Sequence, residues 1–310
     1  MAIGNSKKQL LVVDTELNVG TIAIPMTNIT EIEVNTNGED INVVSSSMGS
    51  KRNYMDEYHS TATFNIETNL TGTTGLDTTS LPATMYSNLD SLFLLCNMKR
   101  ESDGSFVEYT LDSNSETDLG ISFYKENLLR NITGAKGSFT LSGQVGQPLK
   151  IVFNMSAYSD LIPTEVPTVP SHPEASDMSN LAVLKKVSGF TIGGSVINMS
   201  SFTLNQNIEL QDTYATQLAG FSVTDFDPKI EVIAYKTKND KTHWQAYRNE
   251  DLKEIVVTAE CSNGKTIEIK VPFAKMLTVA DGDDNGRQIV TRNYRCQNSL
   301  GDDNISIKIS

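Results

Sequence analysis

Apolar and polar residues alternate along much of this chain at a period of two, the mark of half-buried β-strands. Ala62, Phe64, Ile66 and Thr68 make one such strand, and Ile230, Val232 and Ala234 make another. Short strands are predicted at 29–34 and 41–44 around a turn at Asn37-Gly38, and longer ones at 181–187, 202–210 and 229–235. Ile305, Ile307 and Ile309 end the chain with strict alternation. A helical period stands out at one place. Leu89, Leu92, Phe93 and Cys96 form an i, i+3, i+4, i+7 stripe, and Ser87 precedes it as a candidate cap.

One pattern occurs twice. Residues 139–155 and 257–273 align without a gap at an offset of 118, with Gly146 matched to Gly264. Each reads as strand, glycine turn, strand, which predicts a β-hairpin. The strand at 64–68 matches that at 230–234 at an offset of 166, so the first half carries about 48 extra residues between its matched elements. The segment from His243 to Leu252 lies between the same two elements in the second half and reads as the shorter counterpart of the 87–98 helix.

These patterns predict a mainly β fold of two similar sandwich or barrel domains, each with a short helix, arising from an internal duplication. The predicted domains are residues 1–160, with an insertion at about 71–135, and residues 181–310. Between them lies a linker, 161–180, with Pro163, Pro167, Pro170 and Pro173. Proline lacks a donor and fixes φ, so the linker should be extended and outside any sheet interior. Residues 45–58 and 71–80 are polar and aperiodic and read as long exposed loops.

A length of 310 residues suffices for two domains, and no apolar run approaches the 18 or so residues of a membrane-spanning helix. Only four consecutive apolar residues, Leu10–Val13, follow the first lysines, too few for a signal-peptide core. A net charge of −13 argues against a protein that grips nucleic acid through its phosphates. It does not exclude a surface past which DNA slides, since a surface that repels phosphate would not trap it.

The inventory of reactive groups is thin. Cys96, Cys261 and Cys296 are odd in number and far apart, so they read as buried free thiols in a reducing compartment. His59, His172 and His243 have no ligand-spaced partners. Gly193-Gly194-Ser195 reads as a turn between strands. Asp281-Gly-Asp283-Asp-Asn285-Gly286 opens like a calcium loop, but the twelfth position, which needs a bidentate glutamate, holds Arg292. It therefore reads as a solvated acidic turn, and Asp112–Asp118 as a charged loop. No catalytic, cofactor or metal residue is assigned, and an enzyme is the least favoured class.

Several segments together resemble the tail tube proteins of long-tailed bacteriophages. They are Lys7–Thr21, with its acidic residue and Gly-Thr turn, and Gly137–Gly143 followed by Pro148–Phe153. Val187–Gly194 and Phe202–Asn207 are similar to the second half of duplicated members, and the Ile305–Ile309 strand fits as well. The resemblance implies a structural virion protein, made in the host cytoplasm and placed in the virion tail. Its rings would stack into a tube beside other tail proteins, and genomic DNA would pass through the lumen without sequence-specific binding. Two units per chain would let a trimer form a pseudo-hexameric ring, the alternative being a hexamer. Lys51, Arg52, Tyr54, Asp56, Glu57 and Tyr58 would contact the next ring. The alternatives are a tail terminator or baseplate ring protein, or a two-domain β-sandwich adhesin or carbohydrate-binding protein. The last would carry a secretion signal and a cluster of exposed aromatics, neither of which the sequence makes evident.

Overall fold

A computed structural model of the chain describes residues 9–14, 21–29, 32–42, 51–77, 84–115, 117–171, 180–185, 189–215, 218–237, 241–299 and 301–310. Its elements are, in order, β1 (Gln9–Asp14), β2 (Thr21–Ala23), β3 (Asn28–Ile29), β4 (Glu33–Asn42), β5 (Lys51–Asn69), β6 (Thr74–Asp77) and β7 (Thr84–Ser87). After α1 (Asp90–Leu95) come β8 (Met98–Ser102), β9 (Val107–Leu111), β10 (Ile121–Lys125), β11 (Leu128–Gln144), β12 (Lys150–Ser159) and β13 (Thr164–Glu165). The second half has β14 (Ala182–Val183), β15 (Phe190–Ile192), β16 (Ser195–Val196), β17 (Met199–Asn205), β18 (Ile208–Ala215), β19 (Leu218–Phe226) and β20 (Lys229–Tyr235). It ends with α2 (Lys241–Asn249), β21 (Leu252–Cys261), β22 (Thr266–Asp284), β23 (Arg287–Gln297) and β24 (Ser306–Ile309). The chain is therefore mainly β with two short helices, as its periodicity predicts.

Twenty of the strands join one sheet, and all the pairings are antiparallel. Its spine runs β8–β9–β24–β22–β23–β20–β17–β11–β12–β5–β4. The sheet is not closed. Residues 180–185 tie its two limbs together locally: β14 pairs with β21, while Ala182 donates to the Leu70 carbonyl and accepts from the Leu149 N–H.

β11 is the joint. Before residue 134 it lies beside β10, and after it beside β17 of the second half. One extra residue in β11 breaks its register with β12 between Thr133 and Lys136, and Gly134 there has φ +59°. This is a β-bulge with glycine in the left-handed region, the device that bends a strand and re-aims its edge. Further along, Gly143 lies opposite Phe202. A Cβ at Gly143 would stand 2.5 Å from Leu149 Cδ2, 2.6 Å from Phe202 Cε1 and 2.8 Å from Leu184 Cδ1, so only glycine lets these three close over the joint.

The core follows from the alternation. β20 and β21 bury every second residue and send the others outward. β1 buries four residues in a row, as its run Leu10–Val13 requires. The buried apolar residues form one cluster that includes Leu11, Phe64 and Phe153 of the first half and Phe202, Val257 and Ile307 of the second. α1 fills its centre. All six residues of α1 are buried. Phe93 stacks on Tyr109 at 4.7 Å and meets Phe139 and Phe153 edge-on at 5.8 and 5.6 Å. Such pairs contribute about 0.5–1.5 kcal/mol each beyond their burial.

Polar groups lock this plug in place. The Tyr109 hydroxyl donates to Asp90 Oδ1 at 2.7 Å and accepts from the Ser87 N–H at 2.9 Å, and Arg100 pairs with Asp90. Burial, and then the Asp90 charge, push the Tyr109 phenol well above its usual range. At the other end, Gln206 Nε2 donates to the Cys96 carbonyl at 2.6 Å, and Gln206 Oε1 accepts from the Phe139 N–H at 3.3 Å. This fully buried side chain of the second half thus clamps a helix of the first.

Several local expectations are corrected. Asn37-Gly38 is not a turn but lies inside β4. Residues 74–77 form β6, paired with β7, rather than part of a loop; 78–80 fall outside the described residues. The N-cap of α1 is Leu89, with no side-chain cap; Ser87 Oγ accepts from the Leu89 N–H just before the helix. α2 is longer than α1, nine residues against six, and mostly exposed. The 71–135 region supplies α1, β8 and β9 to the core cluster. Within 161–180, Thr164–Glu165 form β13 and pair with Leu128–Leu129 of β11, while 172–179 lie outside the described residues.

Two substitutions test the joint and the plug. Gly134→Ala forces a side chain into the left-handed region and should cost about 1–2 kcal/mol. Tyr109→Phe removes the hydroxyl that joins Ser87 to Asp90 and should cost about 1–3 kcal/mol. Urea midpoints at unchanged m-value check both.

Candidate self-assembly surface

Among the two-stranded ribbons of the described residues are the outer part of β4–β5, β18–β19 and the tip of β22–β23, and several strand edges are open. The first ribbon is β4–β5. Thr61–Asn69 of β5 pair with β12, whereas Lys51–Ser60 pair with β4 alone. At about 3.3 Å per residue this gives an arm of roughly 30 Å with open edges. Lys51, Arg52, Tyr54 and Asp56 stand in its ladder, opposite Asn42, Ile41, Glu39 and Asn37. The register then slips from Asn37↔Asp56 to Thr36↔Ser60, which leaves Glu57, Tyr58 and His59 in a wide bulge. The exposed-loop reading of 45–58 is therefore corrected for 51–58, which are strand; 45–50 lie outside the described residues. Residues 51–58, Lys-Arg-Asn-Tyr-Met-Asp-Glu-Tyr, show no apolar–polar alternation in sequence. Backbone pairing alone leaves no alternation to read.

The second ribbon, β18–β19, is a sheet of its own that folds back onto the first half. Tyr158 donates its hydroxyl to Asp212 and packs its ring 5.5 Å from that of Phe221. The third is the outer part of β22–β23. Its turn, Asn285-Gly286, has φ +53° and +81°, the geometry that Asn-Gly favours in tight hairpins. Asp281 pairs with Lys236 at 3.0 Å, and Asp283 Oδ1 accepts from the Gly286 N–H at 2.9 Å. The acidic segment is thus strand closed by a short turn. Arg292 is 1% exposed and paired in register with Val232 and Val279, which makes it part of the interior.

The remaining candidates fall into place. Gly193-Gly194 form the β15–β16 turn with φ +57° and +74°. The three cysteines are free and buried. Burial raises all three thiols: Cys96 strongly, Cys261 to a lesser extent, and Cys296 to about 12. His172 and the side chains of His59 and His243 lie outside what is described. Among the described residues no cluster of three His, Cys, Asp or Glu could hold a metal ion. No helix among them is long and apolar enough to cross a membrane.

One feature was not legible in the sequence. Trp244 and Tyr247 of α2 are 42% and 39% exposed, with ring centroids 6.5 Å apart and planes at 86°. On the opposite face of α2, Gln245, Ala246 and Asn249 line a cavity of about 600 Å³ that the β15–β16 hairpin also lines. The available signal was the i, i+3 spacing of Trp244 and Tyr247, which puts both rings on one face of an otherwise polar helix.

No family model matches this chain, and no curated protein is significantly similar to it.

The thiols give a test. Native protein should resist a water-soluble thiol reagent at about pH 8, and all three cysteines should react once unfolded. A thiol held protonated in the fold stabilises it below the unfolded pKa. That contribution is full below pH 9.0 and is lost as pH rises from there toward about 12. The Cys96→Ala/Cys296→Ala protein should show a flatter fall in stability above pH 9, measured as urea midpoint against pH.

Proposed function

We propose that this chain is a structural subunit that assembles into the stacked rings of a bacteriophage tail tube through which DNA is ejected. The observation that carries this reading is the β4–β5 arm, a long ribbon paired on one side only and continuous with a large open sheet. Unpaired strand edges are a hazard for a lone protein and an asset for one that closes with copies of itself. The short-segment resemblance supplies the particular assembly. The excess of acid over base suits a lumen that DNA must traverse without sticking.

In this reading Lys51, Arg52, Tyr54, Asp56, Glu57 and Tyr58 meet the next ring along the arm. Two related β units per chain let three copies supply six positions. The twin hairpins support that relation in part. Both exist, as β11–β12 and β21–β22, and each turns at a glycine with φ near +84°. Their neighbours differ. β5 lies beside β12, whereas β20 lies beside β17 and β23. A ring built from the two halves would be sixfold only approximately.

Electron microscopy of the purified protein should show hollow tubes. Lys51→Glu/Arg52→Glu should leave rings but shorten the tubes. Native mass spectrometry of one ring should give three copies; six would sink the trimer, and a strictly monomeric sugar-binding protein would sink the tube.

A further inference from the structure

Arg292 and Tyr294 are alternate residues of β23 and so point to one face of the sheet. Both line the cavity of about 600 Å³ between that face, α2 and the β15–β16 hairpin, although they are only 1% and 0% exposed. Val196, at the hairpin end of the same cavity, is 67% exposed. The cavity therefore runs from an open rim to a floor that carries a guanidinium and a phenol.

Neither group is what a plain core would hold there. The ladder neighbours of Arg292 are Val232 and Val279, and Val290 and Cys296 on the same strand face are buried. An apolar residue at 292 would continue that pattern without the cost of burying a charge. The Tyr294 hydroxyl is buried and meets no hydrogen-bond partner among the described residues. The other fully buried tyrosine, Tyr109, has its hydroxyl satisfied twice, by Asp90 and by the Ser87 N–H. Buried hydroxyls in native folds nearly always find a partner, so one left over at a cavity wall marks where a partner from outside belongs. Burial pushes the Tyr294 phenol up to about 12 against the opposing pull of the Arg292 charge, so the hydroxyl keeps its proton and donates throughout the neutral range.

The remaining wall narrows the chemistry of that partner. Asn198, Gln245 and Asn249 add side-chain amides, and Ile192, Ile197 and Met276 add apolar surface. Arg292 and Lys253 line the cavity against one acid, Asp251, in a chain whose net charge is −13. One base more than acid suits an anion of single charge. A guanidinium and a hydroxyl converging on one spot suit a carboxylate, which accepts several hydrogen bonds through two oxygens. The volume is that of sites for small molecules, which pair a few placed polar groups with an apolar body.

We propose that this cavity binds a small organic carboxylate, with Arg292 and the Tyr294 hydroxyl holding the carboxylate and Ile192, Ile197 and Met276 its apolar part. Every lining residue lies between Ile192 and Tyr294 of one chain, so the site needs no second copy and does not rest on the tube reading.

Calorimetric titration of the full-length protein with acetate, hexanoate and benzoate, each beside its neutral amide and beside inorganic phosphate, tests this. At least one of the two larger carboxylates should bind with a Kd near 1 mM or tighter, about tenfold tighter than its amide, than acetate and than phosphate. Tyr294→Phe should weaken that binding about tenfold, the scale of one hydrogen bond to a charged group. The same substitution should raise the urea midpoint of the free protein, because it removes a buried hydroxyl that has no partner. Arg292→Met should abolish binding and leave a folded protein, since an apolar side chain of similar length fits a buried site without the charge. No saturable binding of any of the three carboxylates at about 10 mM would overturn the proposal. So would equal binding of the amides or of phosphate, or unchanged affinity in Tyr294→Phe. A lower urea midpoint in Tyr294→Phe would show the hydroxyl to be satisfied within the fold and would overturn it as well.

Discussion

β11 holds the molecule together by changing neighbours partway along its length. A straight strand has two edges and two partners. The bulge at Gly134 turns β11 so that one edge meets β10 first and β17 afterwards, while the other stays with β12 through the bend. The first half's hairpin is thereby stitched into the second half's sheet. The core then has no seam to break at, because the residues on either side of the joint, Phe139, Leu141, Phe202 and Leu204, are buried in the same cluster. Gly143 allows the close approach, and Gln206 bonds both Phe139 and the end of α1 across it. Everything outside this joint can be left open-edged, because the joint itself is dry, paired and fully packed.

Legibility in the sequence followed burial. Strands with one dry face announce themselves by alternation, and the strands at 64–68, 230–234 and 305–309 lie where that pattern puts them. The α1 stripe was equally clear, because its apolar residues meet a core. The arm at 51–58 was not, because its sequence shows no apolar alternation although its backbone is paired. Nor was the cap of α1. The sequence offers Ser87, but Tyr109 and Arg100, more than ten residues on, organise that end of the helix through Asp90. Of the candidate assembly surface, the charged residues were visible and their strand was not. The exposed aromatic pair was invisible, since a surface ring and a core ring read alike in one dimension.

The twin hairpins show how far a repeated pattern constrains structure. Leu141 faces Ile151, but Ala259, its counterpart in sequence, faces Ile267 rather than Ile269. The glycines differ in the same way. Gly146 takes the third place in a turn closed by the Gln147 N–H to the Gln144 carbonyl, and Gly264 takes the fourth place in a turn closed by its own N–H to the Cys261 carbonyl. A slip of two residues keeps every side chain on its original face, since the period of a strand is two. The hydrophobic pattern therefore survives a change that alters the loop and the partners. Similar sequence carried the same inward face into both hairpins without carrying the same neighbours.

That freedom bears on how open edges are kept safe. β8, at one end of the spine, carries Lys99 and Glu101, both exposed and paired with each other at 3.0 Å. Charged side chains on an edge discourage chance pairing with another sheet. The arm at the far end is guarded in its sequence by Lys51, Arg52, Asp56 and Glu57. Mixed charge of this kind weakens association with arbitrary strands but rewards a partner whose charges are arranged to match. An edge guarded in this way stays apart from most surfaces it meets and still accepts one that repeats its own pattern in the right register.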